Sequence, residues 1–172
     1  MPTSLRSRVP LFVLLVSLVA AGVHPGTAAP NDGKEAIPVL TSERTPEAEP
    51  PTTAERAVGF AVEAVGVPYR WGGESPSTGF DCSGLVRWAY GRVGIELPHN
   101  SYALYDEGRR VREASMEPGD ILFFEGLGHV GLYLGRGRMV HAPQTGRTVE
   151  VVRLASTHYG ARLIGARRVA VA

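Results

Sequence analysis

The sequence has a single cysteine in 172 residues, so it can form neither an intramolecular disulfide nor a multi-cysteine zinc cage. No apolar run reaches the roughly 20 residues that carry a helix across a bilayer, which excludes a multi-span membrane protein. Neither sign of charge is in excess. Eighteen basic and 17 acidic side chains leave a formal net charge of +1, too little clustered Lys and Arg for a dedicated nucleic-acid binder. Only 20% of residues are charged while 44% are hydrophobic, so the chain as a whole is not intrinsically disordered. The length leaves room for one ordinary domain and a tail, not for two catalytic domains.

Residues 1–8 carry Arg6 and Arg8 and no acid, and residues 9–23 are apolar except for Pro10, Ser17 and Gly22. At about 15 residues this run is short for a membrane span, and the small residues Gly26, Thr27, Ala28 and Ala29 follow it. The pattern predicts a secretory signal peptide over residues 1–28, with an uncleaved anchor as the alternative. No cysteine stands at the end of the run to carry a lipid. Residues 30–53 hold five prolines and five acids and little that is apolar beyond Ile37, Val39 and Leu40, a composition that cannot offset its ordering entropy by burial. A disordered Pro/Glu/Thr-rich linker is therefore expected over 29–53, and a folded domain of net charge about +2 over 54–172. The expected product is exported to the cell envelope or beyond, is not stably inserted in a membrane once the signal is cut, and acts as a monomer.

Thr52-Thr53-Ala54-Glu55 has capping-box spacing, and Ala54, Ala57, Val58, Ala61 and Val65 recur at helical intervals until Gly66 and Pro68 end the pattern. A Gly-rich loop from Trp71 to Phe80 leads to Cys82, Leu85, Val86, Ala89 and Val93, whose spacing puts them on one face of a second helix opened by Cys82. Residues 98–108 predict a short third helix. After Pro118-Gly119 the pattern changes to short apolar runs broken by glycine, at 120–124, 129–134, 139–142, 149–154 and 164–169, which predict antiparallel strands. Helices first and strands afterwards predict an α+β domain, with N-terminal helices packed against a central antiparallel sheet of about five strands.

A cysteine in the first turn of a helix sits where unpaired N–H groups and the helix dipole favour an anion, so Cys82 is a candidate nucleophile whose thiol pKa is expected to fall. The alternative is a small buried hydrophobe. His129 opens one predicted strand and His141 closes the next, so the two rings can meet. One would take the thiol proton while the other orients it. Each alone also reads as a polar residue capping a strand end, and the three together as an incomplete zinc site lacking a fourth ligand. Tyr69 and Trp71 read equally as core aromatics or cleft residues, Asp81 as an N-cap, and the run from Arg109 to Arg112 as a solvated loop.

Tyr69-Arg70-Trp71-Gly72-Gly73, Asp81-Cys82-Ser83-Gly84, Leu97-Pro98 with Ser101, the run from Pro118 to Phe124, the run from Gly128 to Gly135, and His141-Ala142-Pro143 together resemble the NlpC-type family of bacterial cell-wall cysteine peptidases. The resemblance runs from about Ala54 to Val169. It implies a papain-like fold and hydrolysis of peptidoglycan stem peptides, commonly at the bond between the γ-carboxyl of D-glutamate and the following diamino acid. It makes Cys82 the nucleophile, His129 the general base and then acid, and His141 the orienting residue. Tyr69 aligns with a tyrosine near the oxyanion site, and Asp81 and Ser83 with positions that contact the free amino end of the substrate. No metal and no cofactor is expected. His99-Asn100 and Leu104 depart from the family pattern, which bears on subsites rather than on the triad. A non-catalytic wall-binding protein, or a related amidase or acyltransferase, remains as an alternative function.

Overall fold

Helix α1, Thr53–Glu63, begins at the expected capping box: Thr52 Oγ1 accepts from the Glu55 amide at 3.2 Å and the Glu55 carboxylate accepts from the Thr52 amide at 2.8 Å. The computed structural model describes residues 49–170. The predicted leader, and the predicted linker up to residue 48, lie outside the described residues. No helix among the described residues is long and apolar enough to cross a membrane.

Beyond α1 the Gly-rich segment forms a two-stranded ribbon, β1 (Glu74–Ser75) and β2 (Gly79–Phe80), which feeds helix α2, Cys82–Gly91. The ribbon is too short to leave a periodic signal in the sequence. Helix α2 buries Leu85, Val86, Ala89 and Tyr90, and the Tyr90 hydroxyl donates to the Gly119 carbonyl at 2.6 Å, tying the helix to the turn before the sheet. Helix α3, Ser101–Asp106, is capped by Asn100, whose side-chain oxygen accepts from the amides of Tyr102 and Ala103.

The remaining strands are β3 (Arg109–Val111), β4 (Ile121–Phe124), β5 (Val130–Gly135), β6 (Arg138–His141), β7 (Glu150–Arg153) and β8 (Leu163–Arg168), with helix α4 (His158–Arg162) between β7 and β8. They form one antiparallel sheet of six strands in the order β3-β8-β4-β5-β6-β7. The α+β class and the five predicted strands stand, but the sheet has a sixth. The basic run read as a loop pairs with β8 as an edge strand, Val111 opposite Ala166. With one buried side chain in three residues it carries no alternation to read, and charge is what protects an exposed edge from further pairing.

Residues alternate across the sheet as pleating requires. Ile121, Phe123, Val130, Leu132 and Val140 face α1 and α2, joined by Ala57, Ala61, Leu85 and Ala89. Leu122, Phe124, Tyr133, Met139 and Ala166 face the other way, under Leu154 and Tyr159. Strand β4 is buried on both faces, each of its large side chains contributing about 2 kcal/mol by burial. Its neighbour β5 packs directly against α2.

Candidate active site

Cys82 occupies the first turn of α2, and Asp81 is the N-cap that sets that turn. Asp81 Oδ1 accepts from the Gly84 amide at 2.7 Å and from Ser83 Oγ at 3.1 Å, while Oδ2 accepts from the Gly72 amide at 2.9 Å. One carboxylate thus fixes the helix start and the Gly-rich loop together. His99 Nε2 lies 2.9 Å from the same Oδ1, and His99 also faces Glu74, which is paired with Arg87. Sequence reasoning noted His99 only as a departure. Its link to Asp81 spans 18 residues and has no local signature.

His129 stands immediately before β5, and its Nε2 is 2.8 Å from Nδ1 of His141 at the end of β6. His141 is fully buried. Gly131 makes room for it: a Cβ there would lie 3.3 Å from the His141 Cβ and 3.0 Å from Met139 Sδ. The His129 ring is stacked on Tyr159 at 5.2 Å between centroids and tilted against Phe124 at 5.7 Å. Tyr159 also meets the His141 ring edge-on at 4.8 Å. Sequence reasoning missed Tyr159, because the five-residue helix that carries it lies in a connection with neither helical nor strand periodicity.

Tyr69, Asp81, Cys82, Ser83 and His129 line one cleft of about 490 Å³, with Trp71, His99 and Tyr102 around them. All six side chains singled out from the sequence therefore converge, His141 from beneath through His129. Trp71 is a correction to the core-aromatic reading: it is 86% exposed at the cleft, not packed beneath the sheet. A groove of about 500 Å³ between β3 and β8 matches the cleft in size but contains no nucleophile and no histidine, so chemistry rather than volume singles out the site.

The electrostatics differ from the sequence expectation in one respect. Burial pushes the Cys82 thiol up, and the Asp81 carboxylate adds to this, while the backbone amides of Val130, Ser83 and Cys82 itself pull the other way. The helix terminus is present as expected, but desolvation outweighs it. Burial also pushes His129 down to about 3, with His141, His158 and Arg162 adding to the shift. His141 is pushed down to about 4 by burial, then by Arg147 and His158. Both shifts favour the neutral forms, a thiol on Cys82 and an uncharged imidazole on His129, and the two side chains line the same cleft. Burial, then the proximity of Cys82 and Asp81, push the Tyr69 hydroxyl up, so it stays a protonated hydrogen-bond donor lining the cleft. Among the described residues no group of three or more His, Cys, Asp or Glu side chains is arranged to hold a metal ion.

The chain is 42% identical over 137 residues to a probable endopeptidase of Mycobacterium tuberculosis, covering 79% of this chain and 34% of that protein. It is 38% identical over 136 residues to the γ-D-glutamyl-L-lysine dipeptidyl-peptidase of Bacillus subtilis, covering 76% of this chain and 46% of the relative. The chain thus spans a third to a half of the length of these curated relatives. The solved structure of the peptidoglycan hydrolase RipB of Mycobacterium tuberculosis superposes with a TM-score of 0.61 at 34% identity, over 70% of this chain and 66% of that one. Residues 66–168, which hold Cys82, His129, His141 and every strand of the large sheet, match the model of the NlpC/P60 family, and the chain belongs to that family.

Proposed function

We propose that this protein is an exported, monomeric cysteine endopeptidase that hydrolyses peptidoglycan stem peptides at the bond between the γ-carboxyl of D-glutamate and the following diamino acid. The observation that carries the reading is the 2.8 Å contact between His129 and His141 at a cleft that also holds Cys82 in the first turn of α2. The dipeptidyl-peptidase relative supports the choice of bond, and the RipB likeness supports peptidoglycan as the substrate.

In this mechanism Cys82 Sγ attacks the scissile carbonyl carbon as His129 takes the thiol proton. The oxyanion is received by the backbone N–H of Cys82 and the Tyr69 hydroxyl. The tetrahedral intermediate collapses to a thioester when protonated His129 delivers its proton to the leaving amine. His129 then takes a proton from water, which attacks the thioester and restores the thiol. Asp81 and Ser83 line the same cleft, and in this reading they receive the free amino end of the stem peptide. Asp81 is already engaged by four groups, Gly72, Ser83, Gly84 and His99, so its part in recognition acts through a carboxylate held in place by the fold.

The test is digestion of purified sacculi by the wild-type protein and by Cys82→Ala, with chromatography of the released fragments. The reading predicts release by the first alone, and equal release by both would refute it. Export is tested by fractionating cells and sequencing the N-terminus of the exported form, which should begin near residue 29.

A further inference from the structure

His141 and Glu150 face each other directly across the β6–β7 ladder, which puts their side chains on the same face of the sheet. The Nε2 atom of His141 is buried and has no hydrogen-bond partner at normal length, and Glu150 Oε1 stands 3.6 Å from it. That distance is longer than a hydrogen bond, but a buried imidazole N–H left unpaired is costly, and a small rotation of Glu150 closes the gap. Glu150 is itself held from behind: Arg147 Nη2 donates to both its carboxylate oxygens, at 3.0 and 2.7 Å. Nothing in the triad accounts for this acid or for its clamp.

A carboxylate only accepts, so it selects the form of His141 that carries its proton on Nε2. Neutral His141 then presents a bare Nδ1, which must accept the N–H of His129 Nε2 across the 2.8 Å contact. That leaves Nδ1 of His129 as the ring's free acceptor, the state required to take the thiol proton. With the opposite tautomer of His141, His129 would carry its proton on Nδ1 and could not act as a base. The other groups around His141 do not select: Arg147 and His158 disfavour its charged form, and Tyr159 meets it with a ring edge.

The geometry points to Glu150, clamped by Arg147, as a fourth member of the catalytic chain: a positioning residue that fixes the tautomer of His141 and through it the free nitrogen of His129. This rests on the endopeptidase reading for its consequence, but the tautomer is observable whether or not the substrate is correct.

The test is ¹⁵N NMR of histidine-labelled full-length protein, read beside kcat and KM on peptidoglycan fragments, for wild type, Glu150→Gln, Glu150→Ala and Arg147→Ala. In the wild type His141 should be protonated on Nε2 alone. Glu150→Gln keeps an acceptor oxygen and should keep that tautomer and most of the activity. Glu150→Ala should give a mixture of tautomers and lower kcat by about ten- to a hundredfold with KM little changed, the usual effect of losing a partner that orients a functional histidine. Arg147→Ala, which removes only the clamp, should give a partial mixture and a several-fold loss, and it decides the matter should Glu150→Ala fail to fold. A single unchanged tautomer with wild-type kcat in both alanine variants would overturn the proposal. An Nε2-protonated His141 in a wild-type protein that cleaves no stem peptide would instead refute the substrate reading and leave the positioning role standing.

Discussion

Gly84 packs directly against the carbonyl of Gly73, so that the first turn of α2 and the Gly-rich loop touch backbone to backbone. A Cβ on Gly84 would overlap that carbonyl oxygen and lie 2.9 Å from His99 Nε2. Backbone cannot yield as a side-chain end does, so the helix start and the loop would have to separate, carrying Cys82 and Asp81 with them. Gly84→Ala is therefore expected to cost about 1–3 kcal/mol of stability, measured by urea unfolding, and to reduce kcat well beyond what the stability loss explains. Wild-type stability and activity would contradict this packing.

The buried thiol gives an expectation opposite to that of an ion-paired nucleophile. Because burial raises Cys82 above its ordinary value of 9.0, alkylation by iodoacetamide should continue to accelerate as pH rises past 8, without a plateau at neutral pH. A rate that levels off below pH 7 would mean that the helix terminus outweighs desolvation after all.

Much of this site can be read in the chain itself, and the reasons for the exceptions are specific. The capping box before Glu55, the helical spacing from Cys82 to Val93 and the short apolar run of β4 are local signals, and the structure follows them. Cys82, His129 and His141 stood out because each opens or closes an element whose pattern is strong. Tyr159, Glu150 and His99 act through contacts with residues distant in sequence or across a strand register, and no local pattern encodes those. Strand β3 was missed because a charged edge strand of three residues is built to carry little apolar signal.

Acid should destabilise the fold through the rings of His129 and His141. Both histidines have folded values below the ordinary 6.5, at about 3 for His129 and about 4 for His141, so the unfolded chain binds more protons than the native one between those values and 6.5. Their contribution is complete above pH 6.5 and is lost as pH falls, on the order of 2 kcal/mol per pH unit when both rings titrate. Urea melts from pH 7.5 to 4.5 should show this slope, and His141→Asn should show about half of it. Equal slopes in the two proteins would contradict the assignment.

Tyr159 holds the His129 ring from one side, and its removal should loosen the base without touching the nucleophile. Tyr159→Ala is expected to lower kcat about tenfold, equivalent to roughly 1.4 kcal/mol, while Tyr159→Phe retains the stacked ring and most of the rate. Steady-state kinetics on the same substrate checks both, and identical losses in the two variants would assign the effect to the hydroxyl instead.

The central claim is that Cys82, served by His129, breaks one particular bond of the peptidoglycan stem. Mass spectrometry of the products from a single purified muropeptide, incubated with wild-type protein and with Cys82→Ala, tests it most directly. The account predicts a single cut by the wild type, leaving a fragment that ends in D-glutamate and a second that begins with the diamino acid, and an intact muropeptide with Cys82→Ala. An uncut muropeptide in both reactions, or the same products from both, would contradict it.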